Sequence, residues 1–178
     1  MGVVRRIDEL GRVVIPKEIR RTLRIREGDS LEINTNSDNE VVFRKFSPVK
    51  NISESAKKIA DILSKLSGVP AIVFDKDSVT AVSGASGKEY SGRRLSTALE
   101  ELLETRQGYS CTEENCSQPF YPAEGIKAKA LCAEPIISDG DVIGAVILLA
   151  EKENQTAAEK QILLCKASAL FLGKQIEL

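Results

Sequence analysis

The 178 residues suffice for one or two domains, and 42% hydrophobic with 29% charged residues is the balance of an ordinary globular protein; no run approaches a membrane span and the N-terminus lacks a signal peptide's apolar core, so a cytoplasmic protein without membrane contact is expected. The absence of histidine excludes Ser/His and Cys/His nucleophile pairs, an imidazole base and mixed Cys/His zinc sites. With no tryptophan, three tyrosines and five phenylalanines, stacking on single strands is poorly supplied, and duplex DNA is the better-matched nucleic acid.

In chain order, Val3 to Ile7 reads as one arm of a hairpin, Asp8-Glu9-Leu10-Gly11 as its turn, with Gly11 able to take positive φ, and Arg12 to Ile15 as the returning strand. A four-residue loop sets Ile7 opposite Arg12 and Arg5 opposite Val14. With a side-chain period of two, Arg5 and Arg12 then lie diagonally on one face. Pro16 follows at the first position of a short helix, where its fixed φ and missing N–H do no harm. Ile19 and Leu23 share one face of this helix, and Arg20, Arg21 and Arg24 gather on another. One face wants a core; the other wants phosphate. A solvated charged face is the bland alternative for Arg5, Arg12, Arg20, Arg21 and Arg24, but the charge bias argues against it. Residues 1–26 carry eight Lys/Arg against three Asp/Glu, a net of +5, while the whole chain is −1 and the remainder therefore −6.

Glu27-Gly28-Asp29 is then a turn, Leu31 to Ile33 a strand, Asn36 to Asn39 a polar tip, and Val41 to Phe46 a returning strand. Four short strands and one helix make a thin core, too small a unit to be comfortable alone. Interleaving two copies is a physical remedy, and it places two arginine sets about a two-fold axis that matches duplex DNA.

The run VRRIDELGRVVIPKEIRRTLRI, and then EGDSLEI, resembles the swapped-hairpin DNA-binding module of the AbrB transition-state regulator family over residues 3 to about 46. The resemblance implies an interleaved homodimer closing one β-barrel. It also implies DNA contacts at Arg5, Arg12, Arg20 and Arg21, with Arg6 where a basic residue is usual. The whole chain resembles that family's sporulation regulators, which implies a DNA-binding transcriptional regulator, activator at some promoters and repressor at others, of late forespore genes, working in the bacterial nucleoid.

Ser47-Pro48-Val49-Lys50 reads as the linker, because proline cannot continue the ladder and the apolar period changes from two to 3.6 directly afterwards. This predicts domains at 1–47 and 48–178. From Asn51 to Leu66, Ile52, Ala56, Ile59, Leu63 and Leu66 form a heptad-type seam, suited either to a helix on its own sheet or to a helix at a subunit interface. Ser67-Gly68 ends it. Ala71 to Phe74 and Val79 to Val82 are strands of a central hairpin. SGASGKEYSG, at 83–92, lacks the order of a phosphate loop. Thr97 with Glu100 reads as a capping box opening a helix to about Arg106, with Leu99, Leu102 and Leu103 inward and Gly108 closing it.

From Tyr109 to Gly125 the periodicity fails, which leaves either a loop over a small-molecule pocket or a plain connection. Cys111, Cys116, Cys132 and Cys165 complete no four-ligand set, so no metal, cofactor or disulfide scaffold is expected. Ala128 to Ile137 and Val142 to Leu149 flank an Asp-Gly hairpin turn; the second strand, apolar throughout, is expected to be buried on both faces. Thr156 with Glu159 reads as the cap of a final helix so broadly apolar that both a sheet and a partner subunit are needed to cover it. Together with the 51–66 helix this predicts a four-helix bundle and a homotetramer.

The order helix, hairpin, helix, irregular loop, long hairpin, helix resembles a GAF domain, without that fold's cyclic-nucleotide signature. The expected fold class is thus α+β: a swapped-hairpin barrel followed by a GAF-like α/β/α domain that oligomerises and senses an unidentified small molecule. Two other functions fit parts of the chain. One is a thiol-dependent methionine sulfoxide reductase using Cys111, Cys116 and Cys132, as some GAF domains do. The other is an antitoxin, which shares the barrel but carries a disordered tail where residues 50–178 have a globular pattern. No catalytic residue is assigned and a non-enzyme is expected.

Overall fold

The computed structural model describes residues 3–51, 53–115 and 117–176. Ile52, the first residue of the expected seam, and Cys116 lie outside the described residues. The chain forms two compact units, Met1–Phe46 and Ser47–Leu178.

In the first unit, helix α1 spans Lys17–Thr22. Pro16 is its N-cap, one position earlier than expected, with φ −55° and ψ 146°, and its carbonyl accepts the Arg20 N–H at 2.9 Å. At the other end Ile25 N–H donates to the Arg20 carbonyl at 2.7 Å and Arg24 N–H to that of Arg21 at 3.3 Å, with Arg24 at φ 52°. These are the paired bonds of a Schellman closure, a left-handed position usually given to glycine. Arg24 therefore stands beyond the helix, where the three- and four-residue spacing no longer governs it, and it does not extend the Arg20/Arg21 face as the periodicity implied. Strands β1 (Leu31–Thr35) and β2 (Val41–Lys45) pair antiparallel with Ile33 opposite Phe43.

Among the described residues no strand forms at 3–16, where two hairpin arms were expected. A two-stranded hairpin with no surface to pack on is marginal, and residues 3–14 are all exposed in the single chain. Val4, Ile7, Leu10, Val14, Leu23 and Ile33 are each more than half exposed. The described residues of the single chain close no barrel; these apolar residues stand ready for a surface it does not itself supply.

The second unit opens with α2 (Pro48–Asn51) and α3 (Ser53–Ser67). Its sheet contains β3 (Ala71–Asp75), β4 (Val79–Ser83), β5 (Tyr109–Ser110), β6 (Ala130–Ser138) and β7 (Asp141–Leu149), in the order β4-β3-β7-β6-β5 with every pair antiparallel. The 71–82 hairpin is thus central only through β3; β4 is an edge. Between β4 and β5 lie α4 (Gly87–Tyr90) and α5 (Thr97–Thr105), and α6 (Glu159–Ile176) closes the chain.

The run of apolar residues in β3 and β7 follows from burial on both faces. Ala71, Val73, Val146 and Leu148 join Ala56, Ala60 and Leu63 of α3 and Cys165, Ala169 and Leu172 of α6 in one half of the core. Ile72, Phe74, Ala145 and Ile147 join Leu99 and Leu103 of α5 in the other. Gly173 lets α6 approach β6 closely, since a Cβ there would stand 2.1 Å from the Ile137 carbonyl oxygen. In the β6–β7 turn, Asp139 and Gly140 take φ 49° and 81° between the paired Ser138 and Asp141, the type I′ turn that Asp-Gly favours.

Three local expectations are corrected by hydrogen bonding. The cap of α5 is Ser96, whose Oγ accepts the Leu99 N–H at 3.1 Å, and not Thr97; its end is Arg106 at φ 56°, and not Gly108. Gly108 is small for a different reason, because the Glu134 carboxylate packs where its side chain would stand. At α6, Gln161 reaches back to accept the Ala158 N–H at 2.9 Å while its amide donates to the Ser67 carbonyl at 3.0 Å, so the helix starts at Glu159 and Thr156 is not its cap. The seam also divides: Ala56 and Leu63 are intradomain core, whereas Leu66 is exposed.

Candidate nucleic-acid interface

Six arginines, Arg5, Arg6, Arg12, Arg20, Arg21 and Arg24, all lie in the first unit and all are exposed. Arg20 and Arg21 occupy the last turn of α1, which buries none of its residues. A cation there also complements the negative end of the helix dipole.

Arg12 is held by the turn before it. Asp8 N–H donates to the Arg12 carbonyl at 3.1 Å and Gly11 N–H to that of Asp8 at 3.0 Å, with Gly11 at φ 75°. This is a three-residue loop, Glu9-Leu10-Gly11, ending in a left-handed residue. The β1–β2 connection repeats it: Asn36 N–H donates to the Glu40 carbonyl at 3.2 Å and Asn39 N–H to that of Asn36 at 3.3 Å, with Asn39 at φ 59°. The first turn therefore has the build of a hairpin closure whose arms lack a ladder in the single chain. It also corrects the expected register, because Arg12 stands opposite Asp8 and not Ile7. A ladder continued from that pair sets Arg6 opposite Val14 on the Arg12 face and Arg5 opposite Ile15 on the other.

The side chain of Asp8 orients Arg12, a role the sequence reading missed. Its Oδ1 accepts the N–H groups of Arg12 at 2.8 Å and Leu10 at 3.0 Å, and its Oδ2 accepts from Arg12 Nε at 2.7 Å. The Arg12 backbone amide, then its guanidinium and the Leu10 amide, hold the Asp8 carboxyl below the usual carboxylate range. With Nε anchored, the Arg12 side chain is still 71% exposed; the terminal nitrogens of an arginine suit bidentate contacts to phosphate or to guanine. The signal was legible, since Asp at the head of D-x-x-G is an Asx-turn former. Lys45 was also missed. Its Nζ lies 3.2 Å from Asp29 Oδ2 and donates to the Arg24 carbonyl at 3.1 Å, fastening the end of α1 to β2.

The cysteines offer no comparable site. Cys111, Cys132 and Cys165 are buried, and their Sγ atoms lie 3.4, 3.8 and 3.2 Å from the carbonyl oxygens of Gln155, Gln161 and Val146. A hydrogen bond with Cys132, then burial, pushes the Cys165 thiol well up, away from the reactive thiolate. Among the described residues no cluster of three or more His, Cys, Asp or Glu side chains could hold a metal ion. Within 109–125, Tyr109 and Phe120 meet edge to face at 4.9 Å, and Phe120 and Ala123 are buried with Leu95 and Leu99.

Comparison with known proteins bears on both units. Residues 51–177 match the family described as stage V sporulation protein T C-terminal, transcription factor, and residues 4–50 match the one described as antidote-toxin recognition MazE, bacterial antitoxin. The chain is 42% identical to stage V sporulation protein T of Bacillus subtilis (strain 168), over 99% of this chain and 97% of that protein. It is 55% identical to the transition state regulatory protein AbrB of the same organism, over 26% of this chain and 48% of that protein. Among solved structures it is similar to the GAF domain of a phosphoenolpyruvate-protein phosphotransferase from Coxiella burnetii, with TM-score 0.56 and 16% identity over 70% of this chain and 82% of that one. It is also similar to a type II free methionine-R-sulfoxide reductase from Thermoplasma acidophilum, with TM-score 0.54 and 9% identity over 72% of this chain and 94% of that one. At such identities these two likenesses establish the GAF fold and nothing of activity.

Proposed function

The chain belongs to the stage V sporulation protein T family, and from that premise we propose that it is a DNA-binding transcriptional regulator whose first unit, as an interleaved homodimer, holds duplex DNA through Arg5, Arg6, Arg12, Arg20, Arg21 and Arg24. The observation that carries the reading is the pairing, in one unit, of six exposed arginines with apolar residues left uncovered by the single chain. A second copy covers those apolar residues and supplies the partner edge for residues 3–16; the arginines then meet phosphates and base edges from both copies. By its kinship the regulator acts on sporulation genes of the forespore, activating some promoters and repressing others, from the cytoplasm at the nucleoid. Among the described residues no helix is long and apolar enough to cross a membrane. Selecting duplexes from a randomised library with the full chain tests the reading: enrichment of a site with two-fold symmetry supports it, and an unenriched pool contradicts it.

The second unit joins dimers into a tetramer and senses a small molecule in this reading. Ile62 and Leu66 of α3 and Leu163, Leu170 and Phe171 of α6 are each at least half exposed, a surface suited to the same helices of another copy. Phe171→Glu is expected to reduce the sedimenting species from tetramer to dimer with the second unit still folded; an unchanged tetramer removes α6 from the interface. The reductase reading is disfavoured because Cys111 and Cys132 are buried and bonded to backbone carbonyls. The antitoxin reading is disfavoured because a sheet with a two-sided core occupies the place of a disordered tail.

A further inference from the structure

The two residues at the boundary are each bonded within their own unit. Phe46, the last residue of the first unit, donates its N–H to the Ser30 carbonyl at 2.9 Å within that unit. Ser47, the first residue of the second, donates its Oγ–H to Asp75 Oδ2 at 3.1 Å within its own unit. Two residues later Val49 is fully buried beside α3 and the sheet. Flexible tethers between domains are built from unbonded polar residues. Here both residues of the joining peptide are fastened.

Asp75 is the more informative partner. It ends β3, its side chain is fully buried, and its Oδ1 accepts the N–H groups of Asp77 at 2.8 Å and Ser78 at 2.7 Å. One carboxylate thus shapes the β3–β4 turn with one oxygen and holds the first residue of the unit with the other. A buried carboxylate needs its donors, so any rearrangement of this turn changes the hold on Ser47.

We propose that Ser47 and Asp75 form a latch through which the β3–β4 turn of the second unit sets the stiffness of the chain entering the DNA-binding unit, and hence DNA affinity. The proposal rests on the reading that the first unit binds DNA. Coupling of this kind is an energetic link between two sites through one element with two arrangements, the latched and the unlatched junction. Neither residue need touch DNA, so the number of phosphates neutralised stays the same.

The test uses the full chain and a duplex selected from a randomised library by the unmodified protein. Ser47→Ala is expected to lower affinity about fivefold, at the lower end of usual coupling, with the slope of log affinity against log salt unchanged. Faster amide exchange at Asp77 and Ser78 should accompany it. Ser47→Thr, which keeps the hydroxyl, is expected to restore both. Inserting Gly-Ser between Phe46 and Ser47 should itself weaken binding and make Ser47→Ala silent. Equal affinity and exchange in Ser47→Ala and the unmodified chain overturn the latch while leaving the DNA reading intact, and so does a full additional loss when Ser47→Ala is added to the insertion. Failure of the unmodified chain to retain any duplex overturns the reading beneath it and the latch together.

Discussion

Arg20→Ala in the full chain is expected to weaken binding to a selected duplex by about 1–3 kcal/mol if the guanidinium reads a base edge, and to lower the salt slope by about one if it neutralises a phosphate. Because a dimer carries two copies of α1, the loss per DNA site is doubled where both copies engage. Arg12→Ala should cost at least as much. It removes the proposed contact and also frees Asp8, whose Oδ2 accepts from Arg12 Nε at 2.7 Å. The two effects separate in Asp8→Asn, which keeps the arginine but weakens its orientation. That variant should lose discrimination between duplexes more than total affinity. Unchanged binding in Arg12→Ala and Arg20→Ala together would remove the proposed surface.

Leu63→Glu is expected to unfold the second unit. Leu63 is 1% exposed and packs in the core half that α3 and α6 share with the sheet. Truncation of such a residue to alanine costs about 2–5 kcal/mol. Introducing a carboxylate adds the cost of stranding a charge in apolar surroundings, against a typical domain stability of about 5–15 kcal/mol. Leu66→Glu on the same helix should leave the fold intact, because Leu66 is 55% exposed. Thermal melts of the two variants side by side distinguish core from surface. A folded Leu63→Glu unit that has merely lost self-association would show that α3 presents Leu63 to another subunit and not to its own sheet.

The contrast between these two leucines marks the limit of what periodicity can tell. A seam spaced four and three residues apart states that a helix has an apolar stripe, but not what covers it. In α3, Ala56, Ala60, which is outside the seam, and Leu63 are buried, while Leu66 is exposed. β7 was more legible: its apolar run required burial on both faces, and from Ala145 to Leu149 its residues alternate between the two core halves. Caps were misplaced by one or two residues because several polar residues compete near each helix start. Ser96 and Thr97 are adjacent candidates for α5, and Gln161 outcompeted the Thr156–Glu159 pair by bonding both Ala158 and Ser67. The hairpin at 3–15 was legible as a turn but not as a ladder, since a lone hairpin needs a surface to pack on and residues 3–14 are exposed in the single chain. The arginines were legible as a charge bias. The orientation of Arg12 was not, because it depends on a loop one residue shorter than assumed.

Equilibrium binding of the full chain to a selected duplex across a range of salt concentrations tests the central claim most directly. If six arginines from each of two copies supply the contacts, affinity should fall steeply and linearly on a log–log scale, by about 0.9 per neutralised phosphate. Substituting alanine for Arg12, Arg20 and Arg21 together should flatten that line. A salt-independent affinity, or an equally steep line in the triple variant, would contradict the assignment of this unit to DNA.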